Sequence, residues 1–226
     1  MRRLVPYLLL AGFALLLLPA AAHAQTDQQA LVDRATLTVQ DMLSDKANPD
    51  ARSLLRTAKG AMVCPRVFKA GFILGGQGGS CVLVGHNNGV WSAPAFYGLG
   101  SGSVGLQIGV QDSQIIFVMR TEKGLRALMD SQFKFGADAG VAVATIGAGI
   151  SGATTAALQA DIVAFSVSRG LYAGISLDGS ILSSRSEWNT IYYGHSLSPQ
   201  QIVLENRGDN PGAAPLKEML ARLAGG

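Results

Sequence analysis

Two glycine triplets in this chain have the spacing G-x-G-x-x-G: Gly147, Gly149 and Gly152, and Gly100, Gly102 and Gly105. Between a strand and a helix, that spacing lets a pyrophosphate rest on backbone amides at the helix N-terminus. The first triplet follows the strand-like run VAVATI and precedes residues 153–160, whose composition suits a helix start. That leaves about eight residues before Asp161, short for a crossover unit of about 30 residues in all. Ser166 and Ser168 stand where an acid would hold a ribose. The second triplet runs into LQIGV, which reads as strand. Nucleotide binding is not supported.

Other catalytic chemistry also lacks its residues. No G-x-S-x-G elbow occurs, and of the three histidines only His86 and His195 lie beyond the first two dozen residues. Those two imidazoles cannot complete a tetrahedral metal set if Cys64 and Cys81 pair with each other. Asp112, Asp138, Asp161 and Asp178 are scattered beside turns. Asp138 and Asp161 bracket the glycine-rich segment, where capping a turn is favoured over holding an ion or acting as a base. The chain reads as a non-enzyme that requires no cofactor.

What remains is a set of cations beside glycine-rich turns: Lys59, Arg66, Lys69, Lys134 and Arg169. The favoured reading of each is a solvated surface charge, with a ligand contact the alternative.

The elements that must position these residues can be read from pattern. Arg2-Arg3, the apolar run 8–18 and Ala22-His23-Ala24 form a secretory signal, residues 1–24, with cleavage after Ala24. The apolar run is shorter than the roughly 20 residues of a membrane span. No Cys stands near position 25 for a lipoprotein anchor. The expected location is the periplasm or the medium. Without Arg2 and Arg3, sixteen basic residues face fifteen acidic ones, so no basic field points to nucleic acid. In an oxidising compartment Cys64 and Cys81, in neighbouring predicted strands joined by a glycine-rich turn at 75–79, suit a disulfide. It would close a loop of about 17 residues and contribute about 3 kcal/mol. Two buried free thiols are the alternative, because strand register decides.

Residues 25–226 read as a single domain: a helical part at 26–60, a β-rich core at 61–195 and a helical tail at 196–226. A first helix is predicted from residue 26 or 27 to 43, with Leu31, Ala35, Thr38 and Met42 on one stripe. Its Asp27, Asp33, Asp41 and Asp45 offset Arg34 and Lys46, so it is expected to pack on the domain and not on a membrane. Asn48-Pro49 starts a second helix. Strands follow from 62 to 119, with a turn at His86-Asn87-Asn88-Gly89. Thr121 caps a short helix carrying Leu125, Leu128 and Met129. Strands resume over 133–193, a capping box begins at Ser198, and residues 215–223 form a last amphipathic turn or two. The uncharged stretch 139–158 is rich in Ala, Gly, Thr and Ser, which suits close-packed strands better than hydrocarbon. Without βαβ alternation, the fold class is α+β: a mainly antiparallel, barrel- or sandwich-like sheet core with N-terminal helices and short C-terminal ones.

Within that core, residues 162–180 alternate most strictly. Phe165, Val167, Leu171, Ala173, Ile175 and Leu177 are apolar and the intervening residues small or polar, as in a half-buried strand. Arg169 breaks the apolar parity beside Gly170, which suggests a bent strand, and Asp178-Gly179-Ser180 reads as a turn.

This segment resembles the most characteristic stretch of the SYLF domain, a lipid-binding family whose yeast relatives bind actin. ARSLLRTAKGAMVCPRVFKAGFILGGQGG (51–79), GVWSAPAFYGLGSGSVGLQIGVQDSQIIFVMRTEKGLRAL (89–128) and FKFGADAGVAVATIGAGISG (133–152) resemble its other parts in the same order. The resemblance spans roughly residues 50 to 195. It implies binding of phospholipid or another amphipathic ligand at a bacterial envelope, without catalysis, and ranks Lys69 in KAGF and Arg169 in SRGLYAG first among the cations. Where the family commonly shows a second basic residue, two positions before the glycine-flanking one, this chain has Val167. A module of the envelope that holds a protein partner on the same surface is the competing expectation, and an unrecognised enzyme a weaker third.

Overall fold

The computed structural model describes residues 26–43, 49–104, 109–137, 143–147, 159–170 and 177–225. The signal segment, Asp138, Gly149, Gly152 and positions 171, 173 and 175 of the alternating run lie outside the described residues.

Helix α1 (Thr26–Met42) buries the stripe read from the sequence, Leu31, Ala35, Thr38 and Met42, along with Val32 and Val39 between its members. Helix α2 (Pro49–Thr57) begins with its proline in the first turn, where a missing N–H costs nothing. The chain then enters β1 (Gly60–Gly71), β2 (Leu74–Asn87), β3 (Val90–Trp91), β4 (Ala95–Val104) and β5 (Gly109–Met119). Between β2 and β3, Asn88 and Gly89 take φ values of 51° and 81°, the left-handed conformations that a tight hairpin requires. Thr121 accepts a hydrogen bond from Gly124 N and caps α3 (Glu122–Leu128). Strands β6 (Gln132–Lys134), β7 (Val143–Gly147), β8 (Ile162–Gly170) and β9 (Ile181–Ser184) complete the sheet.

The strands join in the order β6-β9-β4-β2-β1-β5-β8-β7, with β3 paired to β2. Every pair is antiparallel except β7–β8, which is parallel. Among the described residues β6 and β7 are free edges of one sheet, so the core is neither a closed barrel nor a two-sheet sandwich. It is strongly curled instead. Phe135, just beyond β6, stacks on Phe117 of β5 with ring centroids 5.4 Å apart. Five strand spacings separate those strands, about 24 Å if the sheet were flat. The curl encloses Phe117, Phe133, Phe135, Tyr97, Ile115 and the bridged Cys64 and Cys81, all buried.

Helices cover the other face. Gln114 Nε2 of β5 donates to Thr38 Oγ1 of α1, and Tyr192 packs edge-on against Phe96 of β4. Tyr192 belongs to α4 (Ser186–Tyr193), a helix within the stretch read as strand from sequence. Trp188 and Tyr192, one turn apart, both reach Phe96, and Gly194 ends the helix in the left-handed conformation. Helix α5 (Pro199–Val203) has the full capping box at Ser198 and Gln201. Helix α6 (Ala214–Gly225) buries Leu216 and Leu220 and packs against α1 and α2.

Two further expectations are corrected. The glycines at 75–79 are not a turn: they lie inside β2, and the hairpin turns at Phe72 and Ile73. The first part of β8 is not half-buried, since Ile162, Val163, Ala164, Phe165 and Ser166 are all buried, while Val167 and Ser168 are partly exposed and Arg169 exposed. Helices on one face and the curl on the other leave this part of the strand no solvent side.

Candidate functional site

Strand β1 decides where the predicted cations go. Lys59 lies just before its first residue, with its amide donating to Met119 O, while Lys69 lies near its far end. Ten residues of strand hold them about 30 Å apart. Lys59 therefore does not join the others. Arg66, Lys69, Lys134 and Arg169 all lie toward the far end.

A single cross-strand row organises most of that end. Register pairs Lys134 with Ile181, Ile181 with Gly100, Gly100 with Gly78, Gly78 with Phe68, Phe68 with Asp112 and Asp112 with Arg169. Seven strands thus carry one line of residues with a cation at each end and Phe68 near its middle, beside the two glycines Gly78 and Gly100. Cross-strand partners share a face, so these residues all project to the helix side of the sheet. Arg66, two residues before Phe68, is on that face too: its Nε donates to Asp112 Oδ2 at 2.6 Å and its guanidinium lies 5.7 Å from the Phe68 ring centroid. Lys69 takes the opposite parity, half-buried beside its register partners Gln77 and Gln111 at the mouth of the curl. There Gln111 Nε2 donates to Ser113 Oγ, which pairs with Ser168 Oγ, and Gln77 Nε2 donates to Ser180 Oγ.

Helix α1 borders the row. Leu31, Arg34, Pro65, Arg66, Phe68 and Ser80 are among the residues lining a groove of about 530 Å³ between helix and sheet. From the other side Arg185 Nη1 donates to Ser80 Oγ, with its guanidinium 4.1 Å over the Trp188 ring.

The tip of the β1–β2 hairpin is apolar and bare. Phe72 is 61%, Ile73 55% and Leu74 71% exposed. Phe68, Val110 and Ile181 are exposed at the same end, so six of the eight exposed large hydrophobics among the described residues gather there. Sequence reasoning passed over Phe72, Ile73, Leu74, Val110, Arg34 and Arg185. The available signal was chemical: Phe-Ile-Leu, flanked by glycines, occupies a turn where Asn, Asp, Gly or Ser is usual.

Among the described residues the carboxylates do not assemble into a reactive pair. Asp161 accepts from Thr121 Oγ1 at 2.7 Å and lies 3.6 Å from Lys123 Nζ, fastening the start of α3 to β8. Asp112 holds Arg66. Among the described residues no group of three or more His, Cys, Asp or Glu side chains converges as metal ligands. None of their helices is long and apolar enough to cross a membrane.

The sequence profile of the Ysc84 family, described as "Las17-binding protein actin regulator", matches residues 100–223. Protein YSC84 of Saccharomyces cerevisiae is 28% identical over 208 residues, 90% of this chain and 44% of the relative. LAS seventeen-binding protein 3 of the same species is 28% identical over 171 residues, covering 74% and 37%. The human SH3 domain-containing YSC84-like protein 1 is 30% identical over 168 residues, covering 74% and 48%. The chain spans less than half the length of these relatives.

Proposed function

We propose that this chain, which belongs to the Ysc84 (SYLF) family, is a non-catalytic protein that binds phospholipid or another amphipathic ligand at a membrane surface of the bacterial envelope. One observation carries the reading. Four cations and six exposed apolar side chains share one end of the sheet, so charge for headgroups and surface for acyl chains come from the same place. Export by a cleaved signal would deliver the protein to the periplasm or the medium, which cell fractionation tests.

The test is co-sedimentation of the purified protein with vesicles of phosphatidylglycerol and phosphatidylethanolamine at low and high salt. Recovery in the pellet that falls with salt supports the reading. Recovery in the supernatant with every vesicle refutes it. Lys69→Ala with Arg169→Ala should weaken binding several-fold, at about 1 kcal/mol per cation near an anionic surface. Lys59→Ala, just before the start of β1 and away from the other cations, should leave it unchanged.

A second reading rests on the relatives' printed names, which describe proteins that bind a protein. On this reading the same end of the sheet holds a protein partner of the envelope. Failure to sediment with any vesicle, together with saturable retention on a partner that is lost in the Lys69/Arg169 variant, would favour it.

A further inference from the structure

We infer that the β1–β2 hairpin tip is the part that enters the bilayer, with Phe72 and Ile73 as its anchors. The inference rests on the phospholipid reading above and assigns the contact within it.

Three observations carry it. First, the tip breaks the chemistry of turns. Phe72 N donates to Leu74 O to close a turn of Phe, Ile and Leu, all more than half exposed. Nothing among the described residues covers them, and a turn of this shape would form with polar residues at no cost to water contact.

Second, the residues behind the tip form layers in the order that a lipid interface requires. At about 3.3 Å per residue, Lys69 lies about 10 Å behind Phe72 along β1, and the row ending in Lys134 and Arg169 about 13 Å behind it. Apolar groups of interfacial proteins sit roughly 5–10 Å into the headgroup and acyl boundary. With Phe72 and Ile73 at that depth, Lys69 stands level with the phosphates and the outer row just above them. Val110, the register partner of Ala70, widens the apolar layer from the neighbouring strand.

Third, the apolar surface is carried by a hairpin turn in which Phe72, Ile73 and Leu74 are all exposed. A protein partner would need a socket shaped to that turn, whereas a fluid bilayer closes around it. The cations on both sides of the tip complement anionic headgroups and would oppose pairing with a second copy of the same end.

The experiment uses the purified protein and vesicles of phosphatidylglycerol and phosphatidylethanolamine. Phe72→Ser with Ile73→Ser should lower the vesicle partition coefficient about tenfold or more, since two anchors leave the apolar layer. These side chains are exposed, so the thermal melt should match that of the parent. Independently, the fluorescence that Phe72→Trp introduces should be quenched by brominated acyl chains, while that of Val90→Trp, also exposed but in β3, should not. If the parent sediments with vesicles but the double variant binds equally well, or the Phe72→Trp signal is not quenched, the hairpin assignment is overturned and the lipid reading stands. If the parent binds no vesicle, the lipid reading itself is overturned. Self-association of the parent without lipid, abolished in the double variant, would overturn the assignment by making the tip a contact between copies.

Discussion

Arg66 and Asp112 face each other across β1 and β5, Nε to Oδ2 at 2.6 Å, and Asp112 is also the register partner of Arg169. One carboxylate of the row therefore stands between two guanidinium-bearing residues, Arg169 on the row and Arg66 beside it. Both members of the pair are largely exposed, and pairs of that kind contribute about 0–1 kcal/mol to stability. The larger consequence is electrostatic. Asp112→Asn removes a negative charge from the basic end while keeping its shape. Binding to anionic vesicles should rise about fivefold at low salt, from about 1 kcal/mol per charge near the surface. The melting temperature should move little. Unchanged co-sedimentation would show that this row does not face the membrane.

How far the sequence foretold this arrangement depends on which residues carried a local signal. Thr121, Ser198 and Pro49 mark helix starts through hydrogen bonds or a missing N–H within one turn, and each was legible. The stripe Leu31, Ala35, Thr38 and Met42 was legible for the same reason: one helix decides it. The row from Lys134 to Arg169 was not, because its register is set by pairings between segments distant in the chain, such as Gly100 with Ile181. Gly78 and Gly79 misled. They read as a turn, but Gly79 lies in β2 where a Cβ would collide with Arg66 O. Helix α4 was missed because Trp188, Ile191, Tyr192 and Tyr193 also suit a strand, and packing on Phe96 decided between the two.

Cys64 and Cys81 lie on adjacent strands with Cα atoms 4.1 Å apart and a sequence separation of 17. A bridge of that loop length contributes about 3 kcal/mol, mainly by restricting the unfolded chain. Thiol titration of the denatured, unreduced protein should find no free thiol. Cys64→Ser with Cys81→Ser should lower unfolding free energy in urea by about 3 kcal/mol, without loss of vesicle binding at temperatures where the variant stays folded. Two titratable thiols in the unreduced protein would refute the bridge.

Burial pushes the hydroxyls of Tyr97 and Tyr193 well above their ordinary value of 10.0, with Asp130 adding to the first and Tyr192 to the second. The unfolded chain ionises these groups from about pH 10 upward, while the folded chain keeps them protonated. Their contribution is therefore complete below about pH 10 and is lost as pH rises toward the folded-state values. Each tyrosine should reduce stability by about 1.4 kcal/mol per pH unit in that range. Burial, with Asp33 beside it, raises Tyr192 in the same way, so urea unfolding at about pH 9 and about pH 11 should differ by about 4 kcal/mol, and equal midpoints would contradict the burial of these groups. Tyr97 and Tyr193 also differ in partner. Tyr193 Oη donates to Pro94 O, whereas Tyr97 Oη has no partner among the described residues. Tyr193→Phe should cost about 1 kcal/mol, and Tyr97→Phe should be neutral or stabilising.

The docking of α5 on the sheet turns on Gly85 of β2. Its amide donates to Ser92 Oγ, and a Cβ at this position would lie 2.6 Å from Val203 O and 2.8 Å from Val203 Cγ1. Neither contact is relieved by turning a flexible side chain, because the carbonyl belongs to the last residue of α5 and Val203 is itself buried. Gly85→Ala must push helix and strand apart, at about 1–3 kcal/mol. Gly102 of β4 gives the contrast, since a Cβ there meets nothing within 4 Å. Gly102→Ala should leave stability unchanged or raise it by about 0.5 kcal/mol, through the lower entropy of the unfolded chain. Thermal melts of the two variants side by side check this. A Gly85→Ala protein as stable as its parent would mean that α5 does not sit as close to β2 as Val203 requires.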